Sequence, residues 1–494
     1  MPLLLAGVFC AALGLVDPRL QLLAAVGPVL GTAGLLAGGP RRASPVTWLL
    51  FLLAWTYAVA VWSRPGFGGD SPSYYVYLRS AFFDHDLEFA NEWQRWGYRE
   101  APRTATGHQA NAHAVGSAIL WAPFYLAVHL YVLAHRALGR LSYAADGFSE
   151  PYIRSLALGT ATLVVCGASA LAASLGRWFG GRAAALGVAG AALASPIPYY
   201  VFVQPAMAHG LVFALACAFV ALLLMTEDAE STRTPWIVLG ALLGLLALTR
   251  WQASVYAFMF LPLLARGIRT RRLHWSWVLL AAGAALLVFL PQLVVWKVLF
   301  GSALAAPSRQ HGMDWTSPHL LDVLISADRG FFSWTPVMIL GLFGLLWLAP
   351  RRPAFVIAAL AVFASSVWIN GGVKDWAGAD AYGGRRFDLV VPLFAVGIAA
   401  AADAMTGLVA RRPWLPVAVA LLFAAAWNVG LMRLYRIRVI SEAAPLESVA
   451  ARQVHQLRRF SEAALLRLGG PRLRNVAYNF FVGEYLYWNV NLDG

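Results

Sequence analysis

Apolar runs long enough to cross a hydrocarbon layer recur from one end of this 494-residue chain to the other, and they leave few folds open to it. A bilayer core about 30 Å thick calls for roughly 20 apolar residues per helix. Inside it, only helices and closed barrels satisfy their own backbone polar groups. Hydrophobic residues make up 60% of the chain and charged ones 13%, too few polar side chains to cover a soluble enzyme of this length. The pattern predicts an all-α, polytopic transmembrane helical bundle of about 11 to 13 helices.

The formal charge of +14 does not signal nucleic acid, because the basic residues stand in short clusters between apolar runs, as topology signals do. Cys10, Cys166 and Cys217 lie inside apolar segments without CxxC spacing and read as small buried hydrophobes.

The first spans are expected at 3–16, 20–37 and 45–62, the first as an uncleaved helix because no charged segment precedes it. A large polar outer loop at 63–112 follows and holds six of the 24 acidic residues: Asp70, Asp84, Asp86, Glu88, Glu92 and Glu100. Further apolar segments fall at 114–133, 153–175, 183–200, 207–225, 236–248, 253–264, 277–300, 331–348, 355–369, 389–409 and 415–432. The pair flanking Arg250 reads either as two half-length crossings or as one long helix.

Arginine clusters at 266–272, 351–352 and 411–412 read as cytoplasmic turns, which puts loops 301–330 and 371–388 on the outer side. Arg136 with Arg140, and Arg177 with Arg182, flank one crossing and cannot both be inside, and the positive-inside rule does not choose between them. Residues 1–432 thus form a transmembrane catalytic domain and 433–494 a short tail. In the tail Leu446, Val449, Val454, Leu457, Phe460 and Leu465 recur at helical spacing opposite Arg452, Arg458 and Arg459, an amphipathic surface helix. Aromatic residues close it.

Chemistry concentrates where the third span ends, in Arg64-Pro-Gly-Phe-Gly-Gly-Asp70-Ser-Pro-Ser-Tyr-Tyr75. A carboxylate in such a Gly/Pro-restricted turn is held at the water–lipid boundary, where it can take a proton from an acceptor hydroxyl. The plainer alternative is that Asp70 caps the helix starting near Ser73. Arg385 and Arg386, preceded by Gly383 and Gly384, stand on the outer side against the positive-inside trend and suit phosphate binding. Arg250, a charge between two apolar runs, either faces a cavity or snorkels. Lys374 and Arg329 are further outer-loop cations. His108, His113, His209 and His311 lack metal-ligand spacing, so no metal or other cofactor is expected, and His209, at an outer helix end, is the one kept as a candidate contact residue. Interfacial belts explain most of the 20 tryptophans, and Trp93, Trp96, Trp368 and Trp376 are the ones left as candidates for stacking on a ligand ring.

The acidic opening of the first outer loop, the run Gly-Leu-Leu-Ala-Leu-Thr-Arg at 244–250, and Tyr-Gly-Gly-Arg-Arg-Phe at 382–387 with Pro392 behind it together resemble the bacterial relatives of the protein O-mannosyltransferases, members of the membrane-embedded GT-C superfamily. The resemblance spans 48–427. It implies a GT-C-like bundle with juxtamembrane helices in the first outer loop and a catalytic carboxylate at Asp70. It also implies a polyprenyl-phosphate-linked sugar as donor, a lipid, glycan or protein acceptor in the envelope, and a site facing the periplasm or exterior of a bacterial plasma membrane. Ser71 follows Asp70 where some members carry a second acid, so a second carboxylate would come from Asp84, Asp86 or Glu88, and the case for a divalent metal weakens. Arg385, Arg386 and Arg250 would bind donor phosphate, with Lys374 and His209 as further substrate contacts. A transporter or flippase of a lipid-linked saccharide would use the same arginines without a base, though no paired repeats are visible. A non-catalytic envelope assembly subunit is the third class.

Overall fold

The computed structural model describes residues 66–97, 102–139, 143–227, 232–305, 312–326, 329–378, 381–406 and 414–436. The three spans expected before residue 63 and the amphipathic tail lie outside them. Among the described residues every regular element is helical, and β pairing is confined to two isolated bridges, Arg103 with Gln109 and Met313 with Val373. Six helices among the described residues are long and apolar enough to cross a membrane, and three shorter apolar ones accompany them.

The polar loop folds into two short helices, α1 (Ser71–Arg79), which continues as a π-helical turn to Asp84, and α2 (Ala90–Arg95). Then come α3 (Gly116–Ala137), α4 (Glu150–Leu193), a π turn at Tyr199–Val203, α5 (Ala208–Glu227) and α6 (Arg233–Thr249). A 3-10 segment, Trp251–Phe260, leads into α7 (Leu261–Arg269) and α8 (Trp275–Phe300). The last group is α9 (Asp322–Ile325), α10 (Phe331–Trp334), α11 (Val337–Leu348), α12 (Pro353–Gly372), a 3-10 turn at Arg385–Val390, α13 (Val391–Thr406) and α14 (Trp414–Arg436).

Two arms make up α4, because Gly180 has φ 76° and ψ 158°, a conformation open to glycine alone at low cost. The chain reverses there. Thr160 Oγ1 in the first arm donates to Pro205 O at 2.8 Å, whereas a straight helix would carry residue 193 about 50 Å from Thr160. This agrees with the two crossings expected at 153–175 and 183–200.

The reversal also settles the arginine conflict. The Arg352 guanidinium lies 4.2 Å from the ring centre of Trp178, beside the Gly180 turn, and Arg266 donates to Thr226 O near the end of α5. Arg177 and Arg182 therefore share one end of the bundle with Arg266 and Arg352. Each about 30 Å long, α5 and α12 run from that end to the opposite one, where Ala208 and Gly372 lie.

Near Arg250 the structure selects two crossings over one long helix, since α6 and the 3-10 segment pack side by side. Arg250 itself is extended, at φ −151° and ψ 121°. The single helix expected over 331–348 is instead broken. Pro336 disfavours helical geometry in the residue before it, and Thr335 takes φ −133° and ψ 62°.

Close packing rests on small residues, as it must where lipid removes the hydrophobic drive between helices. A Cβ on Gly344 of α11 would run into the Gly397 carbonyl of α13, and one on Gly240 of α6 into the Ala281 carbonyl of α8. The outer face of α8 keeps Leu279, Leu287 and Val294 exposed, the surface a lipid contact requires.

Candidate active site

Gly69, at φ 58°, turns the chain into α1 and delivers Asp70 to its N-cap position. The side chain caps no backbone N–H. Its carboxylate instead meets Arg385, with Oδ2 3.1 Å from Nη1, and its other oxygen lies 3.9 Å from His113 Nε2. Burial alone would raise the carboxyl. Arg385, and after it His113, more than offset this and hold Asp70 at about 2. The Asp70 side chain remains 37% exposed against 13% for Arg385, so the carboxylate forms the open side of the pair.

Beneath the pair sits a carboxylate that the sequence reading passed over. Asp388, with its side chain 1% exposed, receives His209 Nδ1 at 2.8 Å and Arg250 Nη1 at 3.0 Å on one oxygen. Arg250 Nη1 also lies 2.8 Å from His209 Nδ1. The extended backbone at Arg250 aims this side chain inward, and His209 enters from the first turn of α5. The sequence carried half of the signal: an acid opening an apolar stretch is costly unless paired, but nothing in the sequence names the partner.

Arg386 turns away from Asp70. Its Nη2 is 3.2 Å from Asp375 Oδ2, and Nη1 also donates to the Asp375 carbonyl. Arg329 donates from Nε to Ala381 O at 2.6 Å and from Nη1 to Ala377 O at 3.3 Å. The Gly383-Gly384 turn is held from behind by buried tyrosines: Tyr382 N donates to Tyr200 Oη at 3.1 Å, and Tyr382 Oη donates to Asn428 Oδ1 at 2.6 Å. Gly383 has φ 58°, and a Cβ there would strike Pro196.

Of the expected site residues, Asp70, Arg385, Arg250 and His209 thus converge at the end opposite the arginine-rich one, and Arg386 borders them. Asp84, Asp86 and Glu88 do not join them. Asp84 pairs with Arg79 and accepts from Asn91 Nδ2 at 2.7 Å, Asp86 accepts from Ser80 Oγ at 2.7 Å, and Glu88 lies 3.6 Å from Arg103. Lys374 is exposed on the turn where its N–H donates to Gly312 O. His108 contacts Thr106, and His311 lies outside the described residues. Trp96 packs on Phe67 and Tyr75, whereas Trp376 stacks on His319 beside the arginines.

A helical membrane bundle with a helical first loop and an acid–guanidinium pair at one end describes an integral membrane protein, and its fold is one that solved structures already hold. Two solved structures share that fold. The crystal structure of ArnT from Cupriavidus metallidurans bound to undecaprenyl phosphate is 18% identical at a TM-score of 0.50, covering 91% of this chain and 77% of that one. The same protein in the apo state is 17% identical at a TM-score of 0.50, over 83% of this chain and 75% of that one. No protein-family model matches the chain, and no curated protein matches it in sequence.

Proposed function

We propose that this chain is a glycosyltransferase that moves a sugar from a polyprenyl-phosphate-linked donor to an envelope acceptor, with Asp70 as general base. The observation that carries the reading is the meeting of Asp70 and Arg385 at 3.1 Å, at the end of the bundle away from the arginine clusters. Positive charge marks the cytoplasmic side, so this end faces the periplasm or exterior. The fold shared with an ArnT structure that holds undecaprenyl phosphate supports the choice of lipid carrier.

The chemistry follows from the two charges. Asp70 takes the proton of the acceptor hydroxyl as that oxygen attacks the anomeric carbon, the bond to the donor phosphate oxygen breaks, and polyprenyl phosphate departs. Negative charge grows on the departing phosphate, and Arg385 with Arg386 stabilises it. A carboxyl held at about 2 is a weak base, but a donor phosphate competing for Arg385 relaxes that hold, so Asp70 gains basicity when donor is bound. Arg250, engaged with Asp388, supports the floor of the site, which leaves phosphate binding to Arg385 and Arg386.

The test is Asp70→Asn in proteoliposomes with a labelled polyprenyl-phosphate sugar. Transfer should fall by about 10²- to 10⁴-fold while donor affinity is kept. Undiminished transfer removes Asp70 from the mechanism.

A further inference from the structure

Arg385 meets one oxygen of the Asp70 carboxylate, Oδ2, at 3.1 Å, and the other, Oδ1, faces His113 Nε2 at 3.9 Å. The imidazole is held there from α1, the helix that Asp70 opens. His113 N donates to Asn111 Oδ1 at 3.0 Å, Asn111 Nδ2 donates to Ser73 O at 2.8 Å, and Tyr77 Oη donates to His113 O at 3.0 Å. Asn111 and Tyr77 are buried, and the Tyr74 ring meets the imidazole edge-on with centroids 4.7 Å apart. Two buried polar groups and a ring therefore fix a side chain that is itself only partly covered, next to a carboxylate that is also open. Support of this kind is what holds a functional side chain in one geometry.

The width of the gap says what fits it. At 3.9 Å the two atoms are too far apart for a hydrogen bond and too close for a water in line between them. One oxygen fits beside them, about 2.8 Å from each. The carboxylate favours the tautomer with hydrogen on Nε2, so that oxygen must give a hydrogen to Oδ1 and accept one from Nε2. A hydroxyl does both, and it keeps a second lone pair for attack. An amide nitrogen has no lone pair to offer Nε2.

We propose that His113 is the acceptor-positioning residue: its Nε2–H holds the attacking hydroxyl oxygen against Asp70 Oδ1 and leaves one lone pair facing the anomeric carbon. The assignment rests on the glycosyl-transfer reading and adds to it that the group attacked from is a hydroxyl. In the step the acceptor O–H bond breaks and its proton goes to Oδ1. The bond from that oxygen to the anomeric carbon forms, and the bond to the donor phosphate oxygen breaks, its electron pair leaving with polyprenyl phosphate. His113 gives up no proton.

The experiment compares wild type, His113→Met, His113→Gln and Asp70→Asn as full chains in nanodiscs. Each is loaded with labelled polyprenyl-phosphate mannose, glucose or galactose and mixed with an envelope extract as acceptor, and the readout is the single-turnover rate at which label leaves the lipid. His113→Met should slow this rate about 10- to 100-fold while bare polyprenyl phosphate binds normally. His113→Gln, as long as methionine but carrying an N–H donor, should keep most of the rate, so a loss confined to methionine reports the hydrogen bond and not the shape.

Two results would overturn the acceptor role: a methionine variant as fast as wild type, or equal losses for methionine and glutamine, which make His113 a packing residue. If Asp70→Asn abolishes transfer while both His113 variants keep it, the glycosyl-transfer reading stands and the acceptor role alone falls. If wild type frees no label from any of the three donors, or Asp70→Asn matches wild type, the reaction itself is gone and the role of His113 with it.

Discussion

Asp70 Oδ2 and Arg385 Nη1 stand 3.1 Å apart, although one residue leads into α1 and the other opens the 3-10 turn ahead of α13. Each has a flexible glycine before it, Gly69 at φ 58° and Gly383 at φ 58°. The pair sits at the end of the bundle away from the arginine clusters, and Arg385 lowers the carboxyl that burial would raise.

That lowering predicts a pH dependence. A carboxyl lowered to about 2 adds stability that is present above its ordinary 3.8 and is lost only as pH falls through about 2, so between pH 4 and 7 Asp70 should give no slope. In Arg385→Gln burial is opposed only by His113, His209 and Arg250, so the carboxyl rises from its lowered value, and the stability it adds is lost at higher pH than in wild type. Thermal unfolding of wild type, Arg385→Gln and Arg385→Gln/Asp70→Asn from about pH 2 to pH 7 measures this. Identical slopes with and without the guanidinium would refute the electrostatic account.

Asp388 should behave as the keystone of a buried charge cluster. Removing it alone leaves Arg250, 12% exposed, without its carboxylate, and breaking such a pair costs about 3–5 kcal/mol. Asp388→Leu should therefore lower stability strongly, and Asp388→Leu/Arg250→Met should recover much of the loss, since two apolar replacements bury no charge. Unfolding free energies in mild detergent, combined as a double-mutant cycle, give the coupling. Strictly additive losses would mean that the two side chains do not depend on one another.

Much of the bundle was legible in the sequence because hydrocarbon thickness fixes helix length, and the spans at 207–225, 277–300 and 355–369 fall within two or three residues of α5, α8 and α12. Asp70 and Arg385 stood out for a related reason: charges flanked by glycine at the end of an apolar run are costly unless they serve something. Asp388 did not, because beside two arginines a lone acid reads as an ordinary flanking charge, and only tertiary packing reveals that its partner is Arg250. The break at Thr335 was signalled by Pro336 yet outweighed by continuous hydropathy. Which of Arg136 and Arg177 shares an end with the later arginine clusters was beyond one-dimensional charge counting, and Arg352 over Trp178 shows that Arg177 does.

A second pH effect belongs to the first outer loop. Glu92 is fully buried, with Oε1 3.1 Å from Arg79 Nη1 and Oε2 unpartnered. Burial raises its carboxyl to about 7 against the opposing pull of Arg79. The folded state thus holds a proton that the unfolded chain gives up near 4.5, and stability should decline as pH rises from about 4.5 to about 7. Glu92→Gln, which mimics the protonated form, should flatten that decline in thermal unfolding curves. A decline unchanged in the glutamine variant would assign it to another group.

The contact between α11 and α13 makes the sharpest steric prediction. Gly344 faces the Gly397 carbonyl and Gly397 faces the Gly341 carbonyl, so the two backbones touch with no room for a methyl group on either side. Gly344→Ala must push the helices apart or bend them, and overpacking of this kind costs about 1–3 kcal/mol. The control is Gly283→Ala in α8, where nothing lies within 4 Å of an added Cβ. There the lost flexibility of the unfolded chain should leave stability unchanged or raise it by about 0.4–1 kcal/mol. Both glycines sit in apolar helices, so helix propensity alone predicts the same gain for each. Melting temperatures that move apart, Gly344→Ala downward and Gly283→Ala level or upward, identify packing as the cause, and equal shifts would show that the two helices do not meet at Gly344.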